Sequence, residues 1–266
     1  MVPLIRHAFA SIYFVALLSG CVILSTERQI NYGLNHYKMG LFNHAIPPLV
    51  SAAESLEKKS PPDPRLVEVL IALGEMAAST KRNDLAADFF PRALKAAEAL
   101  KPQDNVRLRN SLVHLGNFYL AGRAAEAVPL LTRAEVISRT LEDQVLHAID
   151  QDNLALAYQG TKDYARANAL SLQALETLKN VKTGNLVPRT KGIILYNLGY
   201  SHMETGRYKE AEAHFKESLA LLQSDPAGVE SWRVKTVIKA KADLFRRTGR
   251  NKEADDLEKQ VRVNAL

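Results

Sequence analysis

The sequence predicts an all-α protein, an α-solenoid assembled from about six copies of one helical hairpin. Three observations carry that expectation. Of 266 residues, 37 are Leu and 35 are Ala, both strong helix formers. One alanine column runs Ala45, Ala86, Ala127, Ala167, Ala211, Ala254, at intervals of 41, 41, 40, 44 and 43 residues, and a sustained period of that length marks stacked helical repeats. Helix breakers fall between copies at Ser60-Pro61-Pro62-Asp63-Pro64, Lys101-Pro102, Thr183-Gly184-Asn185 and Ser224-Asp225-Pro226-Ala227-Gly228.

The copies lie near 26–60, 67–101, 109–142, 148–182, 192–224 and 235–262. Seven residues after each column alanine stands another small or β-branched residue: Ala52, Ala93, Ala134, Ala174, Ser218, Val261. Eleven or twelve before it stands a third: Gly33, Gly74, Gly116, Ala155, Gly199, Ala242. Small residues on facing helices let two antiparallel helices cross closely. In the fifth copy Leu195, Leu198 and His202 mark the first helix, and Ala211, Phe215 and Ser218 the second. The turn between them, Thr205-Gly206-Arg207-Tyr208, puts Gly206 where a left-handed residue ends a helix. Gly40, Gly122 and Gly249 hold the same place, and Lys81 and Lys162 replace it in copies two and four. The junction Leu141-Glu142-Asp143 lacks Pro and Gly, which predicts nearly continuous helix there. One solenoid domain accounts for the chain from 26 to 262.

Ahead of it, residues 1–20 read as a signal peptide. Arg6 precedes an apolar run from Ala8 to Leu18, followed by Ser19-Gly20-Cys21. Leu18-Ser19-Gly20-Cys21 resembles a bacterial lipobox, which would be cut before Cys21 so that the chain's single cysteine carries the acyl chains, each buried methylene adding about 0.8 kcal/mol. Two other readings fit the same residues. Ala8–Leu24 is 17 residues of apolar chain, near the lower limit of about 17–25 for an uncleaved spanning anchor in the inner membrane. It also suits a buried N-terminal helix. Val22 after the cysteine resembles lipoproteins sent to the outer membrane, facing the periplasm.

The charge is local. The formal net charge is +6, yet residues 233–266 alone carry +5, Arg6 adds one, and residues 7–232 balance at zero. A general nucleic-acid binder is not neutral over most of its length, so no nucleic-acid partner is expected. Within the basic end, Lys235, Lys239 and Arg246 fall on one helical face, with Arg247 and Arg250 nearby. That stripe would recruit an acidic segment or a phosphate-bearing polymer, or it is a solvated cap for a last repeat with no neighbour.

Catalytic constellations are missing. There is no Gly-x-Gly-x-x-Gly, no phosphate-cradling loop and no His-Glu-x-x-His. His36/His44 and His202/His214 would be the only metal-ligand pairs across a hairpin, and His36 and His202 read more simply as fillers of an aromatic slot. Glu142-Asp143 and Asp255-Asp256 are adjacent carboxylates, which diverge on a helix. No cofactor, metal or enzymatic activity is expected.

The segments Tyr196-Asn197-Leu198-Gly199-Tyr200 with Gly206-Arg207-Tyr208-Lys209-Glu210-Ala211-Glu212, and Leu115-Gly116-Asn117-Phe118-Tyr119 with Glu126-Ala127-Val128-Pro129-Leu130-Leu131, resemble the tetratricopeptide repeat. The period of about 42 is similar to the kinesin-light-chain type. The resemblance implies a right-handed superhelix whose first helices line a concave face that binds a protein or peptide. Carried onto this chain, groove positions include Asn31, Ile71, Glu75, Val113, His114, Asn117, Asp152, Asn153, Tyr196, Asn197, Tyr200, Lys239 and Asp243. Asn31, Asn153 and Asn197 would either bond a peptide backbone, since an amide both donates and accepts, or brace adjacent repeats. Together these readings describe a non-catalytic interaction scaffold held at the bacterial envelope by its lipid. The alternative is an accessory subunit that docks and activates a cell-wall or polysaccharide enzyme.

Overall fold

The structure, a computed structural model, describes residues 25–181, 186–224 and 232–263. The signal peptide and Cys21 lie outside the described residues. Among those described there are twelve helices and no strand. They follow one another as six helix–turn–helix pairs: α1 (Thr26–Lys38) and α2 (Phe42–Leu56), α3 (Arg65–Ser79) and α4 (Asn83–Ala99), α5 (Asn105–Leu120) and α6 (Ala124–Ser138), α7 (Gln144–Gly160) and α8 (Tyr164–Thr177), α9 (Leu186–Glu204) and α10 (Tyr208–Gln223), α11 (Trp232–Arg247) and α12 (Asn251–Val263). The chain divides into two compact units, Met1–Phe89 and Phe90–Leu266, with the boundary inside α4.

Each unit has a core of its own. Ile30, Leu49, Leu56, Leu70, Leu73 and Met76 fill the first, and Leu112, Leu131, Leu178, Ile194, Leu198 and Phe215 the second. All six column alanines are completely buried, as are Ala52, Ala93, Ala134, Ala174 and Ser218. The reason is distance. A Cβ on Gly116 would stand 2.7 Å from Leu131 Cγ, and one on Gly199 would stand 2.8 Å from the Phe215 ring. The helices therefore cross closer than any side chain at those two positions allows. In the fourth pair the same place is shared differently: Ala155 and Ser171, both fully buried, stand where copy three has Gly116 and Leu131.

The turns are uniform. Gly40, Gly122, Gly206 and Gly249 have positive φ, and Lys81 and Lys162 take φ of 60° and 63° at the equivalent places. What holds a lysine there is the closing hydrogen bond. Arg82 N donates to Ala77 O and Asp163 N to Tyr158 O, both at 2.8 Å, as Arg207 N does to His202 O around Gly206. This pattern satisfies carbonyls that a helix end otherwise leaves open.

The junction after copy three departs from the expectation of near-continuous helix. Helix α6 ends at Ser138, Glu142 takes φ of 55°, and α7 begins at Gln144. Asp143 is the cause: its side chain accepts from Leu146 N at 2.9 Å, capping a new helix start without Pro or Gly. Asp104 and Asp163 cap α5 and α8 in the same way.

Candidate partner-binding site

Successive first helices are joined by polar side chains. In the first unit the Tyr37 hydroxyl of α1 donates to the Glu75 carboxylate of α3. In the second unit Arg109 of α5 grips Asp150 of α7 with two guanidinium nitrogens, Nε at 2.7 Å, and both residues are buried. Asn197 Nδ2 of α9 donates to Asp152 Oδ2 of α7 at 2.8 Å, and Gln159 Nε2 of α7 donates to the Asn197 carbonyl at 2.7 Å. Arg247 at the end of α11 meets Glu204 of α9 at 2.9 Å.

These bonds sort the groove positions. Asn197 is 4% exposed and its amide is spent on Asp152, so it braces α9 against α7 and does not line an open face. Sequence places it beside Asn153 in type, but depth separates them. Asn153 is half-buried, Asn31 and Asn117 are exposed, and none of these three amides has a partner among the described residues. His114 is half-buried, its ring stacked on Phe90 at 6.3 Å between centroids. Asn31 on α1 and Ile71 and Glu75 on α3 stand in the first unit, and the remaining groove candidates belong to the second.

On α9, Tyr196 is half-buried against Phe215, with ring centroids 6.1 Å apart, while Tyr200 is exposed. Burial, and then the neighbouring Tyr200, raise the Tyr196 phenol above the ordinary tyrosine range. Tyr164, at the start of α8, is raised by burial and by Glu204 and Tyr200, against the pull of Arg247. The structure thus gathers Tyr164, Tyr196, Tyr200, Glu204 and Arg247 on one side of repeats four to six. Tyr164 is not legible in sequence as part of this group, because it opens a second helix.

The arginines of the basic stripe have acid partners, and among the described residues its lysines do not. Arg246 bonds Glu258 at 2.8 Å and Asp255 at 3.3 Å, Arg247 bonds Asp243 as well as Glu204, and Arg250 bonds Glu212 and Glu253. Their charge is met within the chain, tying α12 and the last turn to α9, α10 and α11. Lys239, exposed, and Lys235, half-buried, have no carboxylate partner among the described residues. They stand on α11 with Trp232, which is 67% exposed, and Arg233 lies over its ring.

Reactive geometry is sparse. The rings of His36 and His44 are 5.7 Å apart and those of His202 and His214 5.1 Å. Among the described residues no group of three or more His, Cys, Asp or Glu side chains is arranged to hold a metal. A small, mainly apolar hollow in the first unit is lined by Ile46, Val50, Leu73, Ala77, Leu85 and Phe89, with Thr80 and Arg82 at its wall. No helix among the described residues is long and apolar enough to cross a membrane.

Comparison with known proteins bears on this arrangement. The family model described as "Tetratricopeptide repeat" matches residues 192–225, the fifth helix pair. A solved Podosopora anserina putative kinesin light chain with nearly identical TPR-like repeats superposes with a TM-score of 0.60, at 19% identity over 75% of this chain and 94% of that one. The fold is that of a tetratricopeptide-repeat solenoid. A Rap protein complexed with Competence and Sporulation Factor is similar to this chain at a TM-score of 0.63, with 14% identity over 89% of this chain and 75% of that one. Regulatory protein AfsR of Streptomyces griseus is 28% identical over 166 residues, 62% of this chain. The match spans only 16% of AfsR's own length.

In the second unit the described first helices offer the amides of Asn117 and Asn153, the phenols of Tyr196 and Tyr200, and Lys235 and Lys239. That inventory suits reversible recognition of a polypeptide.

Proposed function

We propose that the chain is a non-catalytic scaffold that binds a protein or peptide on the face formed by the first helices of its second unit, displayed at the bacterial envelope through a lipid on Cys21. The observation that carries the binding reading is the set of unspent groups across consecutive first helices: the amides of Asn117 and Asn153 and the phenols of Tyr196 and Tyr200, on α5, α7 and α9. Polar groups held on a rigid frame, with their donors and acceptors still open, bind without first breaking internal bonds. The Rap protein, solved with a bound factor, shares this fold, which supports the same use here. The anchor reading rests on Leu18-Ser19-Gly20-Cys21 and favours a surface displayed outside the cytoplasm.

A displayed peptide library panned against the full chain tests the binding reading. Enriched peptides should lose binding to a chain carrying Asn117→Ala, Asn153→Ala and Tyr200→Ala, with helicity intact. Binding unchanged by all three substitutions places the interaction elsewhere. Mass spectrometry of membrane-purified protein tests the anchor: a mature chain beginning at an acylated Cys21 is expected, and one that retains Met1 refutes it.

A further inference from the structure

Asp152 is a groove-position carboxyl that the binding reading does not use, and its surroundings are unusual. It is 5% exposed, and among the described residues its only hydrogen-bond partner is a neutral amide, Asn197 Nδ2 on the next repeat. Its second oxygen, Oδ1, is buried with no partner. Other buried acids of the second unit are treated differently. Asp150 is held by Arg109, and Glu135 by Arg139 and His147.

Charges on the helices packed against α7 are committed elsewhere. Arg109 of α5 holds Asp150, Glu135 of α6 is ion-paired, Arg166 of α8 meets Asp163 and the Tyr158 ring, and Glu204 of α9 meets Arg247. Lys191 sits six residues before Asn197, about 9 Å back along α9 at 1.5 Å per residue. His202 is kept neutral by burial, its pKa pushed down to about 4. Asn168 and Ser171 of α8 supply uncharged, buried and unpartnered oxygens. An ionised carboxyl here has one neutral donor to replace its whole hydration shell, which favours the protonated form.

We propose that Asp152 and Asn197 form a proton-dependent latch between the fourth and fifth repeats, closed while the buried carboxyl keeps its proton and loosened when it ionises, because the single amide bond, though it strengthens with the charge, does not replace the lost hydration and the helices part to admit water. Burial raises the Asp152 pKa to about 7, opposed only by the Asn197 amide, so the latch works near neutral pH. Asn153 follows Asp152 on α7 and Tyr196 precedes Asn197 on α9. Loosening therefore shifts groove side chains of both helices. That consequence for partner binding rests on the groove reading above, whereas the latch itself does not.

The sign follows from linkage. A carboxyl whose folded pKa lies above its unfolded value gives stability that is full below about pH 4 and is lost as pH rises to about 7. His202 and His214, both lowered by burial, act in the opposite direction over part of that range. The difference between wild type and Asp152→Asn isolates the latch, since Asn mimics the neutral acid in shape.

The experiment is a ¹³C-carboxyl NMR titration of the full chain labelled at aspartate, with melting curves from pH 5 to 8. One resonance should titrate near neutral, be missing in Asp152→Asn, and move to higher pH in Asn197→Ala, where the amide that favours the charged form is removed. The melting-temperature gap between Asp152→Asn and wild type should widen in favour of the variant as pH rises. An Asp152 resonance that titrates in the ordinary aspartate range overturns the latch, whatever the protein binds. A latch that titrates as expected while library-selected peptides bind equally at pH 6 and 8 removes its control of the groove and leaves both the latch and the binding reading standing. Loss of all peptide binding at both pH values removes the binding reading alone.

Discussion

Replacing Gly116 by Ala tests whether the small-residue columns exist to let helices cross. The added Cβ would lie 2.7 Å from Leu131 Cγ and Cδ2. Cγ is the branch point of the side chain, so a terminal methyl cannot simply swing aside. Overpacking of this kind costs about 1–3 kcal/mol, offset by about 1 kcal/mol from removing a helix-interior glycine. Gly116→Ala alone should therefore destabilise by about 0–2 kcal/mol. Leu131→Ala alone leaves a hole and should cost about 2–5 kcal/mol. Combined, the two changes remove the clash and partly refill the hole, so the pair should couple favourably by about 1–3 kcal/mol, within the range seen for touching residues. The fourth pair already contains such a solution in Ala155 and Ser171, both completely buried. Urea melts followed by circular dichroism supply the four stabilities, compared only if the m-values agree, since repeat arrays can lose all-or-none unfolding. Additivity within about 0.5 kcal/mol would refute the reasoning and leave the glycine unexplained.

Other outcomes follow from single features. Lys81→Gly and Lys162→Gly should each raise stability by about 1 kcal/mol, because both lysines occupy positive φ that costs a side-chain-bearing residue about that much; a drop in melting temperature would show that the lysine side chains matter more than the turn. Asp150→Ala should cost about 3–5 kcal/mol by stranding the buried Arg109, while Arg109→Met with Asp150→Leu should fall near wild type, as read by thermal melts; equal losses in both variants would contradict the account. Lys235→Glu with Lys239→Glu should leave the melting temperature within the small range of exposed substitutions, about 0.5 kcal/mol. Arg246→Glu with Arg250→Glu should lower it by more, because those two arginines bond four carboxylates; the reverse order would restore the stripe as one unit.

Sequence and structure agree where a local rule fixes the residue type. The column from Ala45 to Ala254 is legible because a close crossing tolerates little else, and its phase locates the turns even where Lys81 and Lys162 replace Gly. Asp143 shows the limit of reading breakers alone. It caps α7 through Leu146 N, and the cap, not a Pro or Gly, ends the continuity expected from Leu141 to Asp143. Pairings between repeats are the part that spacing does not reveal. Asp152 and Asn197 are 45 residues apart and Arg247 and Glu204 are 43 apart, close to one period yet at no fixed offset. Hence Asn197 looks like Asn153 in sequence and differs from it only in depth. Likewise Arg246 resembles Lys239 until the acids of α12 are placed beside it.

The polar links between neighbouring first helices also bear on how such a chain can change over generations. Arrays of equal repeats grow and shrink by whole units, because any copy can stack on any other. Here the copies are not exchangeable. Five residues before its small-column residue the fourth copy carries Asp150, the partner of Arg109, where the fifth carries Ile194. Deleting copy four by recombination would set the buried Arg109 guanidinium against an aliphatic side chain. Stranding a buried charge in this way costs about 3–5 kcal/mol, a large fraction of the stability of an ordinary domain. The order of the repeats is thereby written into their contacts, and lineages of this protein should vary in the residues of each copy far more freely than in the number of copies.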